Sequence, residues 1–231
     1  MIGIYIISAP SGSGKSTLVN EVRQRVAGLA FSVSYTTRAP RGSEQNGREY
    51  YFVTRPEFKE MLRKDEFLEH ADVFGNYYGT ARRFMLEAEE KGNDLLLDID
   101  VQGAAQIKAK LSKAVSIFIL PPNRQILEWR LRKRSEDSEE VIQRRLDTAT
   151  REIENYSKYD YILVNDRLEK STECLRSVLL AERLKRTGAQ SNATDSEILA
   201  MAESCRLDNV RERLKPILDS FRKSDGATGS S

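Results

Sequence analysis

The sequence predicts an α/β fold built around a largely parallel sheet. Short, near-continuous apolar runs occur at 2–8, 94–101, 115–120 and 161–164. Strands covered on both faces read this way, whereas half-exposed strands alternate. Segments of helical periodicity separate the runs, in the order of βαβ units. Hydrophobic residues make up 39% of the 231 and charged residues 31%, enough for one large domain with an appendage and a strongly hydrated surface.

The first predicted strand, 2–8 (IGIYIIS), is rich in β-branched residues, and a glycine-rich turn follows it. Apolar residues at 18, 19, 22 and 26 then predict a helix over 16–26. Two further helices are predicted over 57–64 and 82–91, the second stopped by Gly92. Residues 94–101 (DLLLDIDV) and 115–120 (VSIFIL) predict buried strands. Pro121 and Pro122 end the latter and open a long charged helical region over about 123–156. A last strand is predicted at 161–164 (YILV) and a closing helix at 168–185.

Beyond Arg186 the composition shifts, and 187–193 (TGAQSNA) reads as a linker. Thr194 and Glu197 have the spacing of a capping box. Leu207, Val210, Leu214, Ile217, Leu218 and Phe221 recur at helical spacing, with Pro216 expected to kink or restart that helix. The final 226–231 (GATGSS) are expected to be disordered.

Several function classes are disfavoured by composition. Lysine plus arginine is 37 against 35 acidic residues, a net charge of +2, so no general nucleic-acid surface is expected and anion sites must be local. Two cysteines, Cys174 and Cys205, make neither a disulfide framework nor a metal site and read as ordinary reduced thiols. No apolar run is long enough for a membrane span and no basic leader precedes 2–9, so the expected compartment is the cytosol.

Residues 9–16 (APSGSGKS) fit a phosphate loop, with Ala9 where the first glycine usually stands. Gly12 and Gly14 let backbone N–H groups turn toward phosphate oxygens, Lys15 can reach β and γ phosphates, and Ser16 can ligate Mg²⁺. The following helix adds its positive end. A phosphate loop names a nucleotide triphosphate and leaves GTPase, ATPase, transporter motor and small-molecule kinase open.

The stretch 34–52 (SYTTRAPRGSEQNGREYYF) has neither helical nor strand period but is rich in anion donors. Arg38 and Arg41 flank Pro40 and could present two planar forks to one phosphate, joined by the hydroxyls of Tyr50 and Tyr78. A solvated charged loop is the alternative. Glu69, beside apolar residues and ahead of a Gly-Asn-Tyr-Tyr-Gly turn, could accept both N1–H and the 2-amino group of guanine; adenine has neither donor there. Ser34 and Thr80 could donate to the guanine 6-oxo group. His70, the lone histidine, reads as packed or exposed rather than functional.

Residues 34–53, 67–80 and 98–103 (DIDVQG), in this order and spacing, resemble guanylate kinase of the bacterial type, and the similarity covers about 2–185. The resemblance implies a three-layer P-loop NTPase fold with an inserted GMP-binding region and a lid. It divides the chain into a core (about 1–33, 86–125 and 157–187), an acceptor region (about 34–85) and a lid (about 126–156). It implies transfer of the γ-phosphoryl group of ATP to GMP, and to deoxy-GMP, in purine nucleotide metabolism. The donor site is then Ala9, Pro10, Ser11, Gly12, Ser13, Gly14, Lys15, Ser16 and Thr17. Arg38, Arg41, Tyr50 and Tyr78 hold the GMP phosphate, and Ser34, Glu69, Thr80 and Asp100 read the base. Lys15, Arg38, Arg134 and Arg145 are the expected catalytic residues, with Arg130 a further candidate for the clamp. Ser16 and Asp98 are expected at the Mg²⁺, Asp98 through water. Ser135 stands where the family's lid usually has glycine.

Two rival classes share parts of this pattern. A non-enzymatic guanylate-kinase-like module that binds phosphopeptides would lack a working phosphate loop, which is intact here. A kinase of a phosphorylated sugar would not need Ser34, Glu69 and Thr80 together. The 188–231 extension lies outside the resemblance and could dock on its own domain, pair with another subunit, or be a tolerated appendage.

Overall fold

The computed structural model describes residues 2–73, 75–134, 138–188 and 193–222. The chain begins with β1 (Ile4–Ser8), α1 (Lys15–Arg25), β2 (Leu29–Ser32), β3 (Tyr35–Thr36), β4 (Tyr51–Phe52) and α2 (Arg55–Arg63). It continues through β5 (Phe67–Val73), β6 (Asn76–Ala81), α3 (Arg83–Glu90), β7 (Asp94–Asp98), α4 (Val101–Lys110) and β8 (Val115–Leu120). Then come α5 (Arg124–Arg134), α6 (Glu139–Ile153), a 3-10 turn (Glu154–Lys158), β9 (Tyr161–Val164), α7 (Leu168–Thr187), α8 (Ala193–Glu203) and α9 (Leu207–Asp219).

Strands β2, β7, β1, β8 and β9 lie side by side in that order, all parallel. Ile6, Leu95, Leu97, Phe118 and Leu120 face one layer with Ile107, Leu131 and Leu146 from α4, α5 and α6. Tyr5, Ile7, Leu96, Ile117 and Ile119 face the other with Leu18, Val22, Leu175 and Leu179 from α1 and α7. Helices on both faces leave no polar side to a strand, which is why the period of two is missing from the sequence. The result is three layers, the fold expected.

A second sheet, ordered β4-β3-β6-β5, follows β2; β3 and β4 are parallel and the other neighbours antiparallel. Its core is aromatic: the Phe58 ring stacks on Phe67 at 4.5 Å between centroids and on Tyr77 at 5.5 Å. Here the structure departs from expectation. Strands β3 and β4 are two residues each, too short to leave a period. The Gly-Asn-Tyr-Tyr-Gly segment is not a turn; from Asn76 it is strand β6, and only Gly75 (φ 75°) belongs to the turn.

Other boundaries move for local reasons. Strand β2, not predicted, runs along the sheet edge with three of its four residues half-buried. Strand β7 stops at Asp98, short of the expected 101, because Asp100 caps α4, its Oδ1 accepting the Gly103 N–H at 2.8 Å. Helix α8 starts at Ala193, which puts Thr194 inside its first turn and not at its N-cap. Pro216 does not restart α9, which runs through it from Leu207 to Asp219. Helix α7 consumes Thr187 and is closed by Gly188 at φ 64°; residues 189–192 and 226–231 lie outside the described residues.

The C-terminal helices dock on their own domain, as one of the three expectations had it. Ala202 and Cys205 are buried in the α1/α7 layer, and Val210, Leu214 and Phe221 in the opposite one. The chain crosses between the layers at the exposed side of β9. There Cys205 O accepts the Ile162 N–H at 2.9 Å and Leu207 N–H donates to Asp160 O at 3.1 Å. The turn thus caps a sheet edge that would otherwise stay open. Burying Val210, Leu214 and Phe221 is worth about 1.5–3 kcal/mol each. Truncation after Gly188 is therefore expected to lower the melting temperature by more than about 10 °C, read by differential scanning fluorimetry; an unchanged midpoint would deny the docking any energetic role. No helix among the described residues is long and apolar enough to cross a membrane.

Candidate active site

The site gathers at the carboxyl ends of the parallel strands, where the loops after β1, β2, β7 and β9 converge. After β1 the chain turns through 9–14, closed by a Ser13 N–H bond to Pro10 O at 3.1 Å. Gly14 caps α1 in the left-handed region (φ 84°), and a Cβ there would lie 2.5 Å from Asn165 Nδ2, so backbone and packing both demand glycine. Asn165, just past β9, donates from Nδ2 to Ser13 O at 2.7 Å. Arg130 of α5 donates to that same carbonyl at 3.3 Å and to Asn165 O at 3.0 Å. The loop is braced by its carbonyls. Helix α1 has no side-chain cap and no acidic residue in its first turn, so its positive end is left for an anion.

Lys15, the first residue of α1, ion-pairs with Asp98 at the end of β7. Burial lowers the Lys15 pKa to about 8, against the pull of the Glu152 and Asp100 carboxylates. With Asp98 directly on the ammonium, the charged form is the one held at neutral pH. Ser16 and Thr17 are exposed in the first turn.

On the second sheet, Arg38 reaches Tyr78 OH from Nε at 3.3 Å, and its guanidinium lies 5.3 Å from the Tyr50 ring. Its two terminal nitrogens donate to the two Glu44 oxygens, each at 3.0 Å, and Glu44 also accepts the Arg41 N–H at 2.8 Å. A carboxylate thus sits in a fork whose geometry suits phosphate equally. The Arg41 side chain is exposed.

Glu69 is buried at 3% exposure in β5 and accepts the Thr80 hydroxyl of β6 at 2.6 Å. Burial, aided by the Asp100 charge, pushes its pKa up to about 7, with the Thr80 bonds opposing. A Cβ on Gly103 would lie 2.4 Å from Glu69 Oε2, so the carboxylate fits only because α4 carries glycine there. Strand β5 is held to α4 by His70 N–H to Gln106 Oε1 at 3.2 Å and Gln106 Nε2 to His70 O at 2.6 Å. The His70 side chain is exposed, one of the alternatives expected. Asp100 links the two halves: its carbonyl accepts Ser8 Oγ at 3.4 Å, and its carboxylate raises the pKa of Glu69 and Glu152.

From α6, Arg145 reaches Ser11 Oγ at 2.8 Å. Seven residues on, burial and the Asp100 charge push the Glu152 pKa up to about 7, and its Oε2 is buried with no hydrogen-bond partner among the described residues. A cleft of about 280 Å³ between α4 and α6 is lined by Asp100, Gln102, Thr148, Arg151 and Glu152. Arg132 is paired on the surface with Glu128 and Glu139. The Arg134 side chain and Ser135 lie outside the described residues.

The sequence pattern of the guanylate kinase family matches residues 2–182. This chain belongs to the guanylate kinase family. It is 61% identical over 222 residues to a guanylate kinase of Koribacter versatilis (strain Ellin345), covering 95% of both chains. A guanylate kinase of Escherichia coli (strain K12) is 48% identical over 201 residues, covering 85% of this chain and 97% of the relative. A crystal structure of guanylate kinase from Anaplasma phagocytophilum superposes with a TM-score of 0.67 at 32% identity, over 93% of this chain and 94% of that one.

In this chain Arg38, Tyr50 and Tyr78 come together, as do Glu69, Thr80 and Asp100, and Lys15 meets Asp98. Ser34 follows β2, where its carbonyl accepts the Tyr51 N–H at 2.9 Å. Arg130 braces the phosphate loop rather than standing free for a clamp. Glu44, Gly103, Glu152 and Asn165 escape the sequence reading. Glu44 and Gly103 had a signal, lying inside the motifs 34–53 and 98–103, whereas Glu152 and Asn165 had none.

Proposed function

We propose that the two anion sites hold the donor and acceptor of one phosphoryl transfer, ATP + GMP giving ADP + GDP, in cytosolic purine nucleotide metabolism. The observation that carries this reading is the buried Glu69 carboxylate, hydrogen-bonded by Thr80 and walled by Gly103. A lone buried carboxylate is costly to keep, and guanine repays it with two N–H donors on one edge. Ser34 and Asp100 complete the base site. Arg38, Arg41, Tyr50 and Tyr78 hold the GMP phosphate, which must share or take over the Arg38 fork now filled by Glu44.

Lys15 and the backbone N–H groups within 9–17, Pro10 having none, hold the ATP phosphates. The acceptor oxygen is ionised at neutral pH, so no general base is needed; alignment and charge neutralisation suffice. Arg145, with Arg134, closes from the lid (about 126–156) over the transferring group, while the core and the acceptor region (about 34–85) supply the two binding sites. Closure completes the clamp only when both nucleotides are bound, which limits ATP hydrolysis.

The residues present fit a magnesium ion. Ser16 offers an exposed hydroxyl and Asp98 a carboxylate at a strand end, both hard oxygen donors. Among the described residues no cluster of three or more His, Cys, Asp or Glu could hold a metal unaided, as suits an ion carried largely by phosphates. Such an ion supplies charge neutralisation at the donor phosphates; Ser16 and Asp98 would hold it, with Lys15 released from Asp98 toward the nucleotide.

The test is ADP release with ATP, Mg²⁺ and a panel of GMP, deoxy-GMP, AMP, CMP and UMP. GMP-dependent turnover, with deoxy-GMP used and AMP ignored, is expected. ADP release indifferent to the acceptor would sink the base-reading role of Glu69.

A further inference from the structure

Strand β5 is the last strand of the second sheet, so among the described residues one edge of its backbone has no strand beside it. Helix α4 covers that edge with side chains. Gln106 Oε1 accepts the His70 N–H at 3.2 Å, and Gln106 Nε2 donates to the His70 carbonyl at 2.6 Å. One turn on, Lys110 Nζ donates to the Leu68 carbonyl at 2.6 Å. Three backbone groups that a neighbouring strand would have paired are thus taken by two residues of a helix. The residue between them is Glu69.

This seam is built into the base site. Gly103, Gln106 and Lys110 stand at i, i+3 and i+7 and so share one face of α4. Gly103 leaves room for the Glu69 carboxylate, and Asp100, the other carboxylate of the base site, is the N-cap of the same helix. Helix α4 therefore fixes Asp100 through its own cap and Glu69 through the strand it grips. Pairing with β6 does not do this alone. The β5–β6 register shifts between Phe67 and Glu69, and such a shift re-aims the side chain beside it. Leu68 and Glu69 are each 3% exposed, so protein groups set the aim of the carboxylate.

We propose that Gln106 and Lys110 are positioning residues for base selection, holding the β5 backbone on either side of Glu69 so that its carboxylate meets both N–H groups on one edge of guanine. This rests on Glu69 as the base reader. A two-bond contact tolerates little displacement, because hydrogen bonds weaken steeply as they lengthen and bend. Inosine monophosphate keeps the N1–H and the 6-oxo group and lacks only the 2-amino group. A displaced carboxylate therefore costs GMP two hydrogen bonds and inosine monophosphate one. Loss of the seam narrows the preference between them. A role confined to docking the sheet on the core would lower the melting temperature and weaken both acceptors alike.

The test is steady-state kinetics of the full chain with ATP, Mg²⁺ and either acceptor, in wild type, Gln106→Met, Lys110→Met and Lys110→Arg. Methionine is of similar length to both side chains and makes none of these bonds. In both methionine variants the kcat/KM preference for GMP over inosine monophosphate should fall by about tenfold, through the KM for GMP. The kcat and the KM for ATP should stay within about twofold of wild type. Lys110→Arg, which can still donate to the Leu68 carbonyl, should keep the wild-type preference. A preference within about twofold of wild type in Gln106→Met, whatever its melting temperature, would overturn the proposal. Lys110→Met decides in the same way should Gln106→Met fold poorly. Glu69→Gln in the same assay separates the two roles. A preference lost in Glu69→Gln but kept in Gln106→Met would strike the positioning role alone. A wild-type preference in Glu69→Gln would strike the base-reading role and the proposal with it.

Discussion

Glu69→Gln is expected to lower kcat/KM for GMP by about a hundredfold or more, with ATP binding unchanged. The amide that replaces one carboxylate oxygen points a donor at a guanine donor, in a site too buried for water to mediate. A second signature follows from protonation. Burial holds the Glu69 pKa at about 7 in the unliganded fold, and a proton there removes the acceptor that guanine needs. Guanine's two N–H groups favour the ionised form, so binding below that pH must release a proton. The KM for GMP should then climb as pH falls below about 7, by up to about tenfold per unit, and stay flat above it. For the free fold the sign is opposite. The raised pKa makes the protonated carboxyl the better tolerated form, so stability from this group is full below 4.5 and lost as pH rises toward about 7. Initial rates from about pH 5.5 to about pH 8.5 in wild type and variant check the loss of kcat/KM and the pH dependence of KM, those limits lying about 1.5 units either side of the titration at about 7. GMP turnover within about threefold of wild type in the variant, about 0.7 kcal/mol, would remove Glu69 from base reading.

The donor half of this site is legible in the sequence because its parts are consecutive: a buried strand, two glycines, Lys15 and a helix within one short stretch. What braces it is not. Asn165 reaches Ser13 across 152 residues and Arg130 across 117, and no local pattern marks either. The acceptor half inverts this. Its residue types point to phosphate and guanine, but its scaffold is four short strands, two of them two residues long, with Tyr77 packed on Phe58 and its neighbour Tyr78 turned to Arg38. Both faces of β6 are occupied by aromatics, so no alternation survives. Glu44 escapes for a related reason: a carboxylate among arginines looks like a solvated loop until Arg38 is seen gripping both its oxygens. The helical period of α9 is plain, yet period does not say which layer Val210 and Leu214 will cover. The backbone pairing of the α8–α9 turn with β9 decides that.

Lys15→Met is expected to cut kcat by about a thousandfold, with a smaller change in KM for GMP. The ammonium neutralises donor phosphates most fully while charge is redistributing between them, so its loss falls on the chemical step rather than on acceptor binding. Methionine also strands Asp98, which is only 18% exposed in its side chain, and a drop in melting temperature should accompany the lost activity. That leaves a competing explanation, in which Lys15 is merely the counter-ion of Asp98. Lys15→Arg separates the two. Arginine keeps the charge and can still pair with Asp98, so the melting temperature should return close to wild type. Its broad planar head is a poor substitute for a compact ammonium beneath a loop braced by Asn165 and Arg130, and kcat should remain down by about a hundredfold. A counter-ion role predicts recovery of both quantities; a phosphate-neutralising role predicts recovery of stability alone. Turnover of the arginine variant within about threefold of wild type would leave Lys15 as a structural charge and require another group on the donor phosphates.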